Sequence, residues 1–283
     1  LKTLALSFGT PTIVYDEDQI RHQMRRYHSA FKQSGLTYNI SYASKAFTCL
    51  QMVKLVQEEG LQLDVVSEGE LYTALSAGFD PKQIHFHGNN KTKREIQYGL
   101  ENGIGYFVVD ALEEIELIDK YASDTVNVVL RVNPGVEAHT HEFIQTGQED
   151  SKFGLSIKYG LALEAVNKIK ASKHLYLKGI HFHVGSQSEG TEAMIETAKI
   201  VLNWLSEQQI QVELLNLGGG FGIKYVEGDT SFPIEEGIAE ITTAIKDITK
   251  ELNYSVPEIG IEPGRSIVGE AGITLYEVGT IKD

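Results

Sequence analysis

The chain has 283 residues, 42 % of them apolar, enough to bury a substantial core as one large domain or two smaller ones. A formal charge of −14 offers no basic stripe to neutralise phosphates, which excludes nucleic acid as a partner and favours small molecules. The single cysteine, Cys49, rules out an internal disulfide framework and fits a reducing cytoplasm, and no apolar run is long enough to span a bilayer.

Taken in order, Leu1–Phe8 is too short for a secretory core, and the missing initiator methionine leads us to expect a trimmed start. Thr12–Tyr15 reads as a short strand, and Asp16 is placed to cap a helix running to about Lys32. From Leu36 onward a β-rich apolar run, a few polar or glycine residues and a helical stretch alternate. The runs are Tyr38–Ala43, Leu63–Val66, Ile84–His87, Gly105–Val109, Val126–Val132, Leu175–His183, Val212–Leu217 and Glu258–Ile261. Between them lie Leu50–Glu59, Glu68–Ala77, Lys91–Asn102, Leu112–Ala122, Tyr159–Ala171, Thr191–Gln208 and Ile234–Glu251. Eight such alternations predict an α/β protein with a closed (β/α)8 barrel over residues 36–268, with a doubly wound open sheet as the alternative.

A barrel places its chemistry at the C-terminal ends of its strands. Those ends read Lys45, Asp64 with Glu68, His87-Gly-Asn-Asn90, Asp110, Arg131-Val-Asn133, His183-Val-Gly-Ser186, Gly218-Gly-Gly-Phe-Gly222 and Glu262-Pro-Gly-Arg265-Ser266. Such a ring of polar groups is better explained by a ligand than by stability. Lys45, where strand hands over to helix, can be desolvated and so serve as nucleophile or Schiff-base former; a lysine snorkelling out of a turn is the bland alternative. The glycine run exceeds what a tight turn needs and suits phosphate held by backbone N–H groups, with Gly264, Arg265 and Ser266 closing from the other side. The pairs His85/His87 and His181/His183 each share a strand face and could bind a metal, but lysine and glycine hold the positions where further ligands are needed, so no metal is expected. A third pair, His139/His141, lies in the long stretch 133–154, read as a functional loop. Asp64, Asp110 and Glu262 leave glycoside hydrolysis open.

Four of these motifs, Tyr42-Ala-Ser-Lys45-Ala, Phe182-His183-Val-Gly-Ser186-Gln, the glycine run and Glu262-Pro-Gly-Arg265, together resemble the barrel-type pyridoxal-phosphate decarboxylases. Leu63-Asp-Val-Val-Ser-Glu-Gly-Glu70, Phe86-His-Gly-Asn89, Arg131-Val-Asn-Pro134 and Ser151-Lys-Phe-Gly154 extend the likeness over nearly the whole chain. The match is strongest to the branch acting on meso-diaminopimelate, ahead of those acting on ornithine and arginine; a non-catalytic carrier of the cofactor is the remaining alternative. The resemblance implies pyridoxal 5'-phosphate attached at Lys45, His183 stacked on its ring, and its phosphate held by Ser186 and Gly218, Gly219 and Gly220. It implies Glu262 at the ring nitrogen and Arg265 serving both phosphate and substrate, with Asp64, His87, Pro263 and Gly264 also around the cofactor. It further implies an amino-acid substrate, a cytoplasmic homodimer in the full-length family, and a C-terminal β domain that is mostly missing. Residues 1–35 are then a strand and helix leading into the barrel. Residues 269–283 hold the first strand of that β domain, Ile273–Ile281, expected to lack its partners, and Cys49 is a packing residue.

Overall fold

The computed structural model describes residues 1–135 and 152–282. The chain opens with α1 (Lys2–Phe8) and β1 (Thr12–Tyr15), followed by α2 (Glu17–Ser34). Asp16 caps α2 as expected, its carboxylate accepting the Gln19 N–H at 3.1 Å. The alternation continues with β2 (Tyr38–Ala43), α3 (Leu50–Glu58), β3 (Gln62–Val65), α4 (Glu68–Ser76), β4 (Ile84–Phe86), α5 (Lys93–Glu101), β5 (Tyr106–Val109), α6 (Leu112–Tyr121) and β6 (Val126–Asn133). After the two-residue β7 (Leu155–Ser156) come α7 (Leu161–Ala171), β8 (Leu175–His181), α8 (Glu192–Glu207), β9 (Leu214–Asn216), α9 (Ile234–Glu251), β10 (Glu258–Ile261), α10 (Arg265–Val268) and β11 (Gly272–Leu275).

The strands β2, β3, β4, β5, β6, β8, β9 and β10 pair in parallel in that order, and β10 returns to β2, which closes the barrel. All eight expected strands are present; Tyr38–Ala43 and Glu258–Ile261 keep the expected bounds, and the ends of the others shift by no more than two residues. The sixth, for instance, stops at His181 rather than His183. Helix α5 begins at Lys93 rather than Lys91, because Thr92 and Glu95 form a reciprocal capping box that fixes its start.

Helices cover the outside because each carries one apolar stripe. In α2, Ile20, Met24, Tyr27 and Phe31 recur at helical spacing and are buried, as are Ile234, Ile238, Ile241 and Ile245 in α9. The Arg26–Glu235 ion pair at 2.6 Å joins these two helices. Inside the barrel the packing is partly polar: His85 Nδ1 lies 2.9 Å from Ser41 Oγ and 2.7 Å from Tyr106 OH, and the His85 and Tyr106 rings stack. Burial pushes His85 down to about 3, so the ring is neutral and its hydrogen bonds satisfy it.

The run expected at Ile273–Ile281 is corrected by the structure: the strand is Gly272–Leu275, and it has a partner. It pairs antiparallel with β1, with Thr12 opposite Leu275 and Tyr15 opposite Gly272. The alternating residues of β1 present a ladder edge to it, so the two ends of the chain form one ribbon at the barrel mouth.

Barrel closure also relies on close backbone approach at Gly179. In β8 an extra residue, Lys178, sits between the partners of Val128 and Val129, and a Cβ on the next residue, Gly179, would stand 2.4 Å from the Leu214 carbonyl oxygen. Gly179→Ala is therefore expected to lower stability by about 1–3 kcal/mol. Gly69→Ala on α4, where a Cβ would make only an ordinary contact at 4.0 Å with Ser67 Oγ, serves as a control expected to leave it unchanged or slightly raised. Urea unfolding midpoints of the two variants check this, and equal midpoints would contradict it.

Candidate active site

A cavity of about 980 Å³ opens at the C-terminal ends of the strands, with the β1–β11 ribbon forming one wall through Ile13, Tyr15 and Thr274. Lys45 lines it from the 3-10 turn Ser44–Ala46 that follows β2. This turn is fixed from several sides. Tyr42 OH donates to the Phe47 carbonyl at 2.9 Å, and the Phe47 ring stacks on Tyr15 at 4.1 Å. The lysine itself is exposed, not desolvated as expected, because the turn carries it beyond the packed strand end and into the open cavity.

The floor of the cavity is a buried charged cluster. Glu262, at the exit of β10, accepts from Asn216 Nδ2 at 2.8 Å and from His181 Nε2 at 3.2 Å. His87 Nε2 stands 2.8 Å from its other face, without the alignment of a hydrogen bond. Burial alone would push the carboxyl up, but the imidazoles of His87 and His181 outweigh it and hold Glu262 well below the ordinary carboxylate range. Asp64, 3.8 Å from His87, goes the other way. Burial, aided by the nearby Glu262, pushes it up to about 7 against the pull of His87. Two neighbouring carboxyls thus hold different charge states, the usual device for dividing tasks in a site.

The two His-x-His pairs are split by the fold. His181 and His87 go to Glu262, and the ligand atoms of these three residues lie within 4.8 Å of one another. His85 is spent inside the barrel, and His183 accepts the Gly219 N–H at Nδ1, 3.3 Å away. His87 and His183 both lie past their strand ends, so the rule that residues two apart share a face does not reach them. Burial, together with His181 and nearby cations, lowers His183 to about 3, so it presents a neutral aromatic plane.

The glycines answer to backbone contact as much as to any ligand. A Cβ on Gly219 would lie 2.1 Å from the Glu262 carbonyl oxygen, and one on Gly220, at φ +100°, 2.0 Å from that of Gly185. Gly218 donates to Asn216, Gly219 to His183 and Gly222 to the Ser188 carbonyl, while the Gly220 N–H makes no hydrogen bond among the described residues. Gly219, Gly220, Gly264, Arg265 and Ser186 all line the cavity. Gly218 and Pro263 do not: their carbonyls accept the Glu262 and Ala43 N–H groups, and they stitch the strand exits together behind it.

Several wall residues carry no single-residue signal in the sequence. Arg131 was visible as part of a motif, but its setting was not: it lies 3.5 Å from Asp110 and 4.5 Å above the Phe153 ring, which lines the cavity with it. Lys91 reads as a helix residue but is a buried cation donating to the Gly88 and Val108 carbonyls and to Glu114, which pins the loop carrying His87. His139, His141 and Ser151 lie outside the described residues.

These residues fit a phosphorylated aromatic aldehyde. An amine stands at the rim, a neutral ring and a buried anion lie below it, and a glycine-walled recess with one guanidinium lies at one end. Among the described residues Asp64 Oδ1 is buried with no hydrogen-bond partner, a polar atom for a ligand to satisfy. Fold and site together define a pyridoxal-phosphate barrel. The family described as pyridoxal-dependent decarboxylase, pyridoxal binding domain, matches residues 17–269, and the chain belongs to it.

Relatives named diaminopimelate decarboxylase are similar throughout. That of Staphylococcus aureus (strain COL) is 81 % identical over 283 residues, covering 100 % of this chain and 67 % of the relative. That of Bacillus subtilis (strain 168) is 45 % identical, covering 99 % and 65 %. The crystal structure of diaminopimelate decarboxylase from M. jannaschii in co-complex with L-lysine matches with a TM-score of 0.93 at 37 % identity, covering 99 % of this chain and 67 % of that one. The chain thus spans about two thirds of the length of these relatives.

The raised Asp64 carboxyl makes a stability prediction. Its folded value, about 7, lies above its ordinary 3.8, so its contribution is full below the ordinary value and is lost as pH rises toward 7. Asp64→Asn removes this dependence. Its melting temperature relative to wild type is expected to climb between pH 4 and pH 8; a constant difference across that range would contradict the assignment.

Proposed function

We propose that this chain provides the cofactor-binding barrel of a diaminopimelate decarboxylase, which removes one carboxylate of meso-2,6-diaminopimelate as carbon dioxide and leaves L-lysine. The observation that carries this reading is the convergence of Lys45, His183, Glu262 and Arg265 on one cavity in a chain so similar to enzymes of that name. We read residues 36–268 as the barrel, flanked by 1–35 and 269–283. The whole protein is read as a cytoplasmic homodimer, the lone cysteine being in keeping with a reducing compartment.

When bound, pyridoxal phosphate supplies an electron sink for the pair left behind as the bond to carbon dioxide breaks, and a proton then takes the place of the lost carboxylate. Lys45, on a fixed turn yet exposed, would hold the cofactor through its amine and give way to a substrate amine. Glu262, kept anionic by its two imidazoles, would hold a proton on the cofactor's ring nitrogen and so strengthen the sink. His183, a neutral plane in the cavity wall, would back the cofactor's ring. Ser186, Gly219, Gly220, Gly264 and Arg265 receive the phosphate, and Arg265, with Nη1 only 3.4 Å from Gln187 and its guanidinium over Tyr225, also reaches a substrate carboxylate.

Borohydride reduction in the presence of pyridoxal phosphate, followed by peptide mapping, is expected to label Lys45. Label centred on Lys152, whose ammonium lies over the Phe153 ring, would refute the assignment. In the full-length protein, Glu262→Gln is expected to retain the label but to lower the rate of carbon dioxide release from meso-diaminopimelate by about a hundredfold or more. A near-normal rate would remove Glu262 from the chemistry, and release from ornithine in place of meso-diaminopimelate would reassign the substrate.

A further inference from the structure

The recess read above as the phosphate site has two walls from different strand exits: the glycine run after β9 and the Gly264–Ser266 turn after β10. One side chain outside the barrel touches both. Tyr27, fully buried on α2, meets Ser266 Oγ with its hydroxyl at 2.8 Å, and its ring packs against Phe221 with centroids 5.4 Å apart. Phe221 directly follows Gly220 and lines the cavity, and Ser266 directly follows Arg265, which does so too.

The opposite flank of the turn has no slack. A Cβ on Gly264 would lie 3.1 Å from Ala43 and 3.2 Å from Ala46, so the turn is wedged between the Lys45 turn and α2. A phenylalanine at position 27 fills the same volume, so packing does not account for the hydroxyl. A buried hydroxyl costs stability unless it is bonded, and here its bond goes to the residue next to the arginine of the recess.

We propose that Tyr27 is a positioning residue for a phosphate monoester: from outside the barrel, its hydroxyl and ring set the separation of the two walls of the recess. The inference rests on the reading of that recess as the phosphate site. Its mark is selective. A change in wall separation weakens the grip on phosphate, whereas a general loss of structure weakens every contact of the ligand equally.

The test is absorbance titration of the wild-type chain, Tyr27→Phe, Ser266→Ala and the double variant with pyridoxal 5'-phosphate and with pyridoxal, which lacks the phosphate. The 31P resonance of the bound phosphate is recorded alongside. Wild type is expected to prefer the phosphorylated ligand. Each single variant should reduce that preference by about three- to tenfold, the range of one buried hydrogen bond, and move the 31P resonance, with pyridoxal affinity changing by less than about twofold. The double variant should lose no more than either single one, because both act through the same bond. If Tyr27→Phe folds poorly, Ser266→Ala interrogates the same bond with a smaller change. An unchanged preference in the variants, or an equal loss for both ligands, would overturn the role of Tyr27 while leaving the phosphate site in place. A wild-type chain that binds both ligands equally would overturn the phosphate reading itself, and the inference with it.

Discussion

The site depends on one buried carboxylate. Glu262 sits at the bottom of the cavity, where an ion without partners is prohibitively costly, and its neighbours are the protein's answer to that cost. His181 comes from β8, Asn216 from β9 and His87 from just past β4, so three other strand exits are committed to one side chain on a fourth. Because two of these partners have a further tie, the geometry propagates. Asn216 also accepts the Gly218 N–H, and the loop carrying His87 is pinned by Lys91 bonded to the Gly88 carbonyl. The charge at the floor and the glycine run at the side are parts of one hydrogen-bonded frame.

Glycine makes that frame possible. At the exits of β8, β9 and β10 the backbones run so close that carbonyl oxygens occupy the places where side chains would begin. A run of three glycines therefore does two things at once: it lets the strand exits interlock, and it lines a recess with small, polar backbone. Lys45 lies on the facing wall, beside Phe47, whose carbonyl accepts from Tyr42 of β2 and whose ring stacks on Tyr15 of β1. The ribbon of β1 and β11 thus walls the cavity as well as joining the two ends of the chain.

Much of this was legible in the sequence, because barrel strands and helices announce themselves by period. Eight apolar runs alternating with helical stretches predicted eight strands, and the polar residues at their ends predicted most of the cavity wall. The misses have physical causes. The desolvation of Lys45 was inferred from its place after a strand, but exposure is decided by what covers the side chain, and among the described residues Lys45 stays exposed to the open cavity. The partner of β11 lies about 260 residues away in β1, and strand pairing at that separation leaves no local mark. Lys91 looked like the start of a helix because a charged residue before a helical stretch is ordinary; only the cap at Thr92 and the buried Glu114 show it to be a structural cation. The histidine pairs were read with a strand's period, which fails once the chain leaves the strand.

The central claim is that His87 and His181 hold Glu262 anionic at the floor of the barrel. Selective 13C labelling of glutamate side chains, with Glu262→Gln to assign the resonance, allows its carboxyl to be titrated directly by NMR. The Glu262 resonance is expected to remain that of a carboxylate as pH falls through the ordinary glutamate range, moving only at lower pH. A midpoint at or above the ordinary value would mean that burial wins over the imidazoles, and would contradict the account.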